Sequence, residues 1–179
     1  MMKRWISSGM KYYKLIGVGE KNAVTVFTDT NHKIETDLPK VMGGSDMAPQ
    51  PVEHLLAAFI GCTQATAVFV GRNMKPRRLN ISQMKFDIQA CRDERGSLGG
   101  TLPIDNDSTL PDFPSRIKLV TGIIEVMLKN NEPIAKEELM LLEKHVEARC
   151  PVANMMLSSG CIFQIKWVDG NNKVRSHLI

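Results

Sequence analysis

At 179 residues, 43% of them apolar, the chain can bury a core of its own and suits one domain with at most a modest extension. A net charge of +4, from 23 basic and 19 acidic residues, is too small to argue for a nucleic-acid partner. Four cysteines (Cys62, Cys91, Cys150, Cys161) with no repeated spacing and no C-x-x-C give no sign of a disulfide framework, a structural zinc site or a thioredoxin-type motif.

The first residues, Met1-Met2-Lys3-Arg4-Trp5-Ile6-Ser7-Ser8-Gly9-Met10-Lys11, are basic, contain serine and lack acid. Such a composition suits a mitochondrial-type presequence and equally a disordered terminus. Residues 1–10 are therefore set apart as an extension, and a single domain is expected over 11–179. Scattered cysteines without a secretory signal point to a reducing compartment. The expected location is cytoplasmic, or a mitochondrial-type matrix if the extension is a presequence.

Tyr12 to Val18 and Ala23 to Thr30 are rich in β-branched and aromatic residues, and Gly19-Glu20-Lys21-Asn22 between them predicts an antiparallel hairpin. A short third strand is expected around Lys33 to Thr36. The loop Gly43-Gly44-Ser45-Asp46-Met47-Ala48-Pro49-Gln50-Pro51 then stops at a helix start, where Pro51 fits the first turn and Glu53 suits the positive end of the helix dipole. The helix predicted from about Val52 to Asn73 is apolar nearly all round, which places it at the centre of a domain or a dimer. Its longest apolar run, Val52 to Val70, contains Glu53, His54 and Gln64, so it reads as a buried helix and no membrane span is expected.

The cluster Lys75-Pro76-Arg77-Arg78 lacks interleaved aromatics and reads as a solvated turn. Ile81 to Cys91 alternates as a strand, with Ile81, Phe86 and Ile88 as core candidates; Arg116 to Leu128 is a second long strand. Between them Arg92 to Ser115, rich in glycine and proline, forms a long loop that either moves or covers something. Ile134 to Arg149 reads as an amphipathic helix with Leu139, Leu142 and Val146 inward and Lys136, Glu137, Glu143 and Lys144 outward. Pro151 interrupts it, Val152 to Leu157 forms a further helical turn, and Cys161 to Val168 a final strand. The order predicts an α+β domain with antiparallel sheet.

Two cysteines stand apart. Cys62 lies inside the apolar helix, and Cys150 lies where a helix meets proline, in Glu147-Ala148-Arg149-Cys150-Pro151-Val152. Read alone, each is as compatible with a small apolar core residue as with chemistry, and so are Cys91 and Cys161. If the fold brings Cys62 and Cys150 together, they make a candidate thiol–disulfide couple. A thiolate attacks peroxide and becomes a sulfenic acid, and a second cysteine condenses with it before irreversible oxidation. That scheme calls for no cofactor and no metal.

The segment Gly43-Gly44-Ser45-Asp46…Pro49-Gln50-Pro51-Val52-Glu53-His54-Leu55-Leu56-Ala57-Ala58-Phe59-Ile60-Gly61-Cys62-Thr63 resembles the signature of the OsmC/Ohr family, the osmotically inducible and organic-hydroperoxide-resistance proteins. Cys150-Pro151-Val152-Ala153-Asn154 resembles that family's second cysteine motif. The resemblance implies an OsmC-like fold, with antiparallel sheets wrapped around a long central helix in an intertwined homodimer. It implies a thiol-dependent peroxidase of organic hydroperoxides, with hydrogen peroxide as a further substrate and a lipoyl-type or thioredoxin-like dithiol as reductant. By position Cys62 would be the peroxidatic cysteine, Cys150 the resolving cysteine and Glu53 the acid of the site.

On one continuous helix Glu53 and Cys62 face opposite sides, roughly 13 Å apart along the axis. Glu53 would then serve the Cys62 of the partner subunit, unless the helix breaks near its start. Hydroperoxide-resistance members carry an arginine before the acidic residue. Here that region offers Lys40, which lacks the bidentate fork, and Arg4 far upstream. The broader OsmC-like branch is therefore expected. Arg149, beside Cys150, reads as a surface arginine at a helix end.

Three other readings compete. A Cys–His hydrolase or acyl transferase would need His54 or His145 within hydrogen-bond reach of Cys62, and eight residues of helix set His54 poorly for it. A non-enzymatic stress or ligand-binding module would use an apolar pocket at a dimer interface. A Cys/His metal site lacks ligand spacing.

Overall fold

The computed structural model describes residues 9–100 and 102–171. The segment 1–8, on which the presequence expectation rests, lies outside the described residues. The chain forms two compact units, residues 1–57 and 58–179, and the division falls inside one unbroken helix, α1 (Pro51–Asn73).

The first unit holds a three-stranded antiparallel sheet in the order β1 (Leu15–Glu20), β2 (Ala23–Thr28), β3 (Lys33–Thr36). Glu20 pairs with Ala23, so Lys21 and Asn22 alone make the first turn, with Lys21 in the left-handed region (φ 54°). The predicted hairpin is present, although its first strand begins at Leu15 rather than Tyr12.

After β3 the chain wraps around one buried acid. The Asp37 carboxylate accepts the backbone N–H groups of Leu38 (2.7 Å), Ser45 (3.0 Å) and Met47 (3.1 Å). The loop can close that tightly only because Gly44 has no side chain, since a Cβ there would lie 1.8 Å from the Leu38 carbonyl oxygen. The Met47 N–H foremost, then that of Leu38, holds the Asp37 pKa below its ordinary 3.8. A depressed pKa gives stability present above the unfolded value and lost as pH falls through the folded one. Asp37→Asn should lower Tm at pH 7, and the gap to wild type should narrow as pH falls below 3.8 and through the depressed folded pKa, where the carboxylate becomes protonated. Thermal melts across that range check it; a gap independent of pH would contradict it.

In the second unit β5 (Ile117–Leu128) is the central strand, flanked by β4 (Ile81–Arg92) and β6 (Ile162–Asp169). β4 runs antiparallel to it, with Ile88 opposite Gly122. β6 runs parallel to it, with Ile124 opposite Trp167, so this sheet is mixed where a wholly antiparallel one is expected. The connection explains the difference. Between β5 and β6 lie α3 (Lys136–Glu147) and α4 (Pro151–Ser158), and a crossover of that length lets a strand return in the same direction.

The core of this unit gathers alternate residues of β5 (Val120, Ile124, Val126, Leu128), Met84 of β4 and Trp167 of β6. Ala67 and Val70 of α1 join the predicted stripe Leu139, Leu142 and Val146 of α3. Ile81, Phe86 and Ile88 pack at its margin, and Met84 rather than they is the deeply buried residue of β4. Glu143, expected in solvent, is half-buried. Arg77 is not merely solvated: its guanidinium pairs with Glu132 (3.5 Å) and Glu138 (3.3 Å), pinning the α1–β4 connection to the start of α3.

The long loop between β4 and β5 contains a single helical turn, α2 (Arg95–Leu98). Its base is fastened by Asp93, which bonds Arg95 at 2.8 Å, while the Arg95 guanidinium lies 4.1 Å from the Phe113 ring centre. The Arg95 hydrogen bond lowers the Asp93 pKa to about 2.

By length and composition α1 could cross a bilayer. Here its Phe59, Thr63, Ala67 and Val70 are buried in the second unit, while Ala58, Gly61, Ala65 and Phe69 remain exposed. Only 28% of its most apolar window is buried, so the chain itself covers one face of a helix that is apolar on nearly all.

Candidate active site

α1 carries Cys62, which is half-buried, and the junction between α3 and α4 carries Cys150, which is fully buried. Local chemistry fixes the junction. Pro151 occupies the first turn of α4, where a missing N–H is harmless, and Cys150 caps that helix: its Sγ accepts the Ala153 N–H at 3.4 Å. Asn154 Nδ2 donates to the carbonyls of Cys150 (2.9 Å) and Glu147 (3.1 Å), so one side chain clamps the turn that presents the cysteine.

The fold brings the Cys62 side chain beside that of Cys150, near enough to act on its charge. Burial first of all pushes the Cys150 pKa up. The Ala153 N–H opposes that shift, and the neighbouring Cys62 thiol adds to it. Cys150 is therefore held as a thiol, while Cys62 is the more accessible sulfur. Cys91 is exposed on β4 and Cys161 is buried just before β6, where burial and then the charge of Cys91 raise its pKa.

Glu53 is placed differently. Its carboxylate accepts the Gln50 N–H at 2.7 Å, satisfying one of the donors that every helix start leaves free. It lines an open cleft of about 650 Å³ in the first unit, together with Asp46, Pro49, Gln50 and His54. Because α1 is unbroken from Pro51 to Asn73, a chain's own Glu53 and Cys62 stay two and a half turns apart.

Each of the two candidate histidines has a partner other than Cys62. His54 Nε2 donates to the Glu35 carbonyl (2.7 Å), and His145 Nδ1 accepts from Arg149 Nη1 (2.7 Å). That bond makes Arg149 the exposed helix-end arginine that its sequence position suggests. Lys40 lies in the exposed turn Lys40–Met42. The residues that sequence reasoning passed over are Asp37, Thr63, Glu147 and Asn154. Asn154 and Glu147 flank Cys150 at helical spacing, which was the available signal; Asp37 has none beyond preceding a glycine pair.

The OsmC-like protein family model matches residues 43–166 of the chain. Solved structures with the same fold include an organic hydroperoxide resistance protein OsmC from Legionella pneumophila, at 13% identity and TM-score 0.63, covering 89% of this chain and 98% of that one. An OsmC-like protein from Mycoplasma pneumoniae shares 18% identity with TM-score 0.64, over 88% and 96% of the two chains. The organic hydroperoxide resistance protein OhrB of Bacillus subtilis shares 14% identity with TM-score 0.57, over 88% and 98%. A search of curated protein sequences finds no match. With the family model covering α1 and both Cys62 and Cys150, the chain belongs to the OsmC-like protein family.

Proposed function

We propose that the protein is a thiol-dependent peroxidase of organic hydroperoxides, working through Cys62 and Cys150. The observation that carries the reading is the meeting of a half-buried thiol on α1 with a buried, protonated thiol at the start of α4. The Cys62 thiolate attacks one peroxide oxygen. The O–O bond breaks, Cys62 becomes a sulfenic acid, and the alkoxide takes up a proton to leave as the alcohol. Cys150 sulfur then displaces hydroxide from Cys62 sulfur; the hydroxide departs as water with the Cys150 proton, and an external dithiol of lipoyl or thioredoxin type reduces the disulfide.

Glu53 enters this scheme from a second copy of the chain. A homodimer covers the exposed face of α1 and brings Glu53 to the partner subunit's Cys62, where a carboxylate orients the peroxide. Supporting it are the apolar side chains Leu55 and Phe69 left open on α1 and the distance along one helix that keeps a chain's own pair apart. The neighbours named for organic hydroperoxide resistance agree with a peroxide substrate.

The test is consumption of an alkyl hydroperoxide with dithiothreitol or dihydrolipoamide as donor. Cys150→Ser should give one equivalent of oxidation and then stall, with Cys62 captured by a sulfenic-acid reagent or over-oxidised. A wild type that turns over no peroxide with any dithiol, yet binds a small apolar ligand, would sink the reading in favour of a binding module.

A further inference from the structure

Within the second unit lies a small cavity of about 10 Å³. Its wall includes Thr63, the residue after Cys62; Glu147, three residues before Cys150; and Ala153, whose N–H bonds the Cys150 sulfur. The remaining wall is largely apolar, with Phe59, Ile124 and the Trp167 indole among it. Thr63 is 2% exposed, and its Oγ1 finds no partner in the protein.

A buried hydroxyl without a partner is costly, and native proteins avoid it. The cavity holds about one water-sized probe, and a buried water needs at least two polar partners. The Thr63 hydroxyl and the Glu147 carboxyl are the oxygen-bearing side chains on this wall, beside the Trp167 indole. We propose that Thr63 and Glu147 form a one-water site that ties the helix bearing Cys62 to the helix junction bearing Cys150. The site positions the two sulfurs; it touches neither.

Such a link depends on pH. Burial pushes the Glu147 pKa up. The cavity walls facing it from α1, β5, β6 and α4 carry no titratable group, and the neighbouring charge is Glu143, one turn back on α3. A raised pKa gives stability that is full below the unfolded value and is lost as pH rises through the folded one. Glutamine mimics the protonated acid, so Glu147→Gln should keep the link and remove that alkaline loss.

The experiment uses the full chain. Thr63→Val keeps the shape and deletes the hydroxyl; it should lower Tm, and Thr63→Ser should restore it. Disulfide closure with diamide, which takes up both thiol hydrogens as the S–S bond forms, should slow severalfold in Thr63→Val and recover in Thr63→Ser. Diamide needs no peroxide, so this result stands apart from the peroxidase reading. The Tm of Glu147→Gln should fall less than that of wild type as pH rises from the ordinary glutamate value of 4.5 through the raised folded one. A Thr63→Val protein as stable as wild type or more so would overturn the site, because deleting an unpartnered hydroxyl costs nothing. If valine prevents folding, a high-resolution crystal structure of the wild type decides: a water within hydrogen-bond reach of both side chains supports the proposal, and a dry cavity refutes it.

Discussion

Cys62→Ser is expected to reduce peroxide turnover to the uncatalysed background with the fold intact. The reaction needs an atom that is nucleophilic near neutral pH and can accept an oxygen while keeping its bond to carbon. A thiolate does both; a serine hydroxyl is protonated at that pH and forms no counterpart of the sulfenic acid. Serine is close to cysteine in size, and Cys62 is only half-buried, so the substitution leaves little cavity and strands no deep polar group. Circular dichroism and Tm near wild type would separate lost chemistry from lost structure. The comparison with Cys150→Ser fixes the roles. Loss of all oxidation in Cys62→Ser, but a single stoichiometric oxidation in Cys150→Ser, makes Cys62 the attacking sulfur. The reverse pattern would exchange them, and equal residual turnover in both would remove the pair from the mechanism.

How much of this was legible beforehand depended on whether a feature is local. The alternation of β4, the Ile, Val and Leu content of β5 and the Leu139, Leu142, Val146 stripe of α3 are local, and the structure forms both strands and buries the stripe. The direction of β6 is not periodic. It depends on which strand edge is free after two helices have crossed the sheet, and that is a tertiary matter. The face of α1 buried by its own chain was equally hidden, because a helix apolar on nearly all sides carries no phase information. The cysteine pair lies between these cases. Spacing along the chain says nothing about whether Cys62 and Cys150 meet, and the motif resemblance supplied that expectation. Asp37 shows the opposite limit: one acid in a loop looks like any other until three N–H groups converge on it.

Gly122→Ala should be the most destabilising single-methyl change in the sheet, costing about 3–5 kcal/mol. Gly122 sits in the middle of β5 with φ +148°, a conformation that side chains rarely adopt. A Cβ there would lie 2.0 Å from the Asp87 carbonyl oxygen and 3.0 Å from both the Asp87 carbonyl carbon and the Ile88 Cα. All three are backbone atoms, so no side-chain rotation relieves the clash; β4 would have to move. β5 cannot retreat the other way, because Gly122 also pairs with Ile165 of β6, and both neighbours share the one core through Met84, Ile124 and Trp167. Strain at one Cα therefore spreads into both ladders. In a chain of this size the loss corresponds to a Tm drop on the order of 10 °C, measurable by thermal and urea unfolding. A variant within about 1 kcal/mol of wild type would show that β4 yields, and that the close approach at Asp87 is not what keeps this position a glycine.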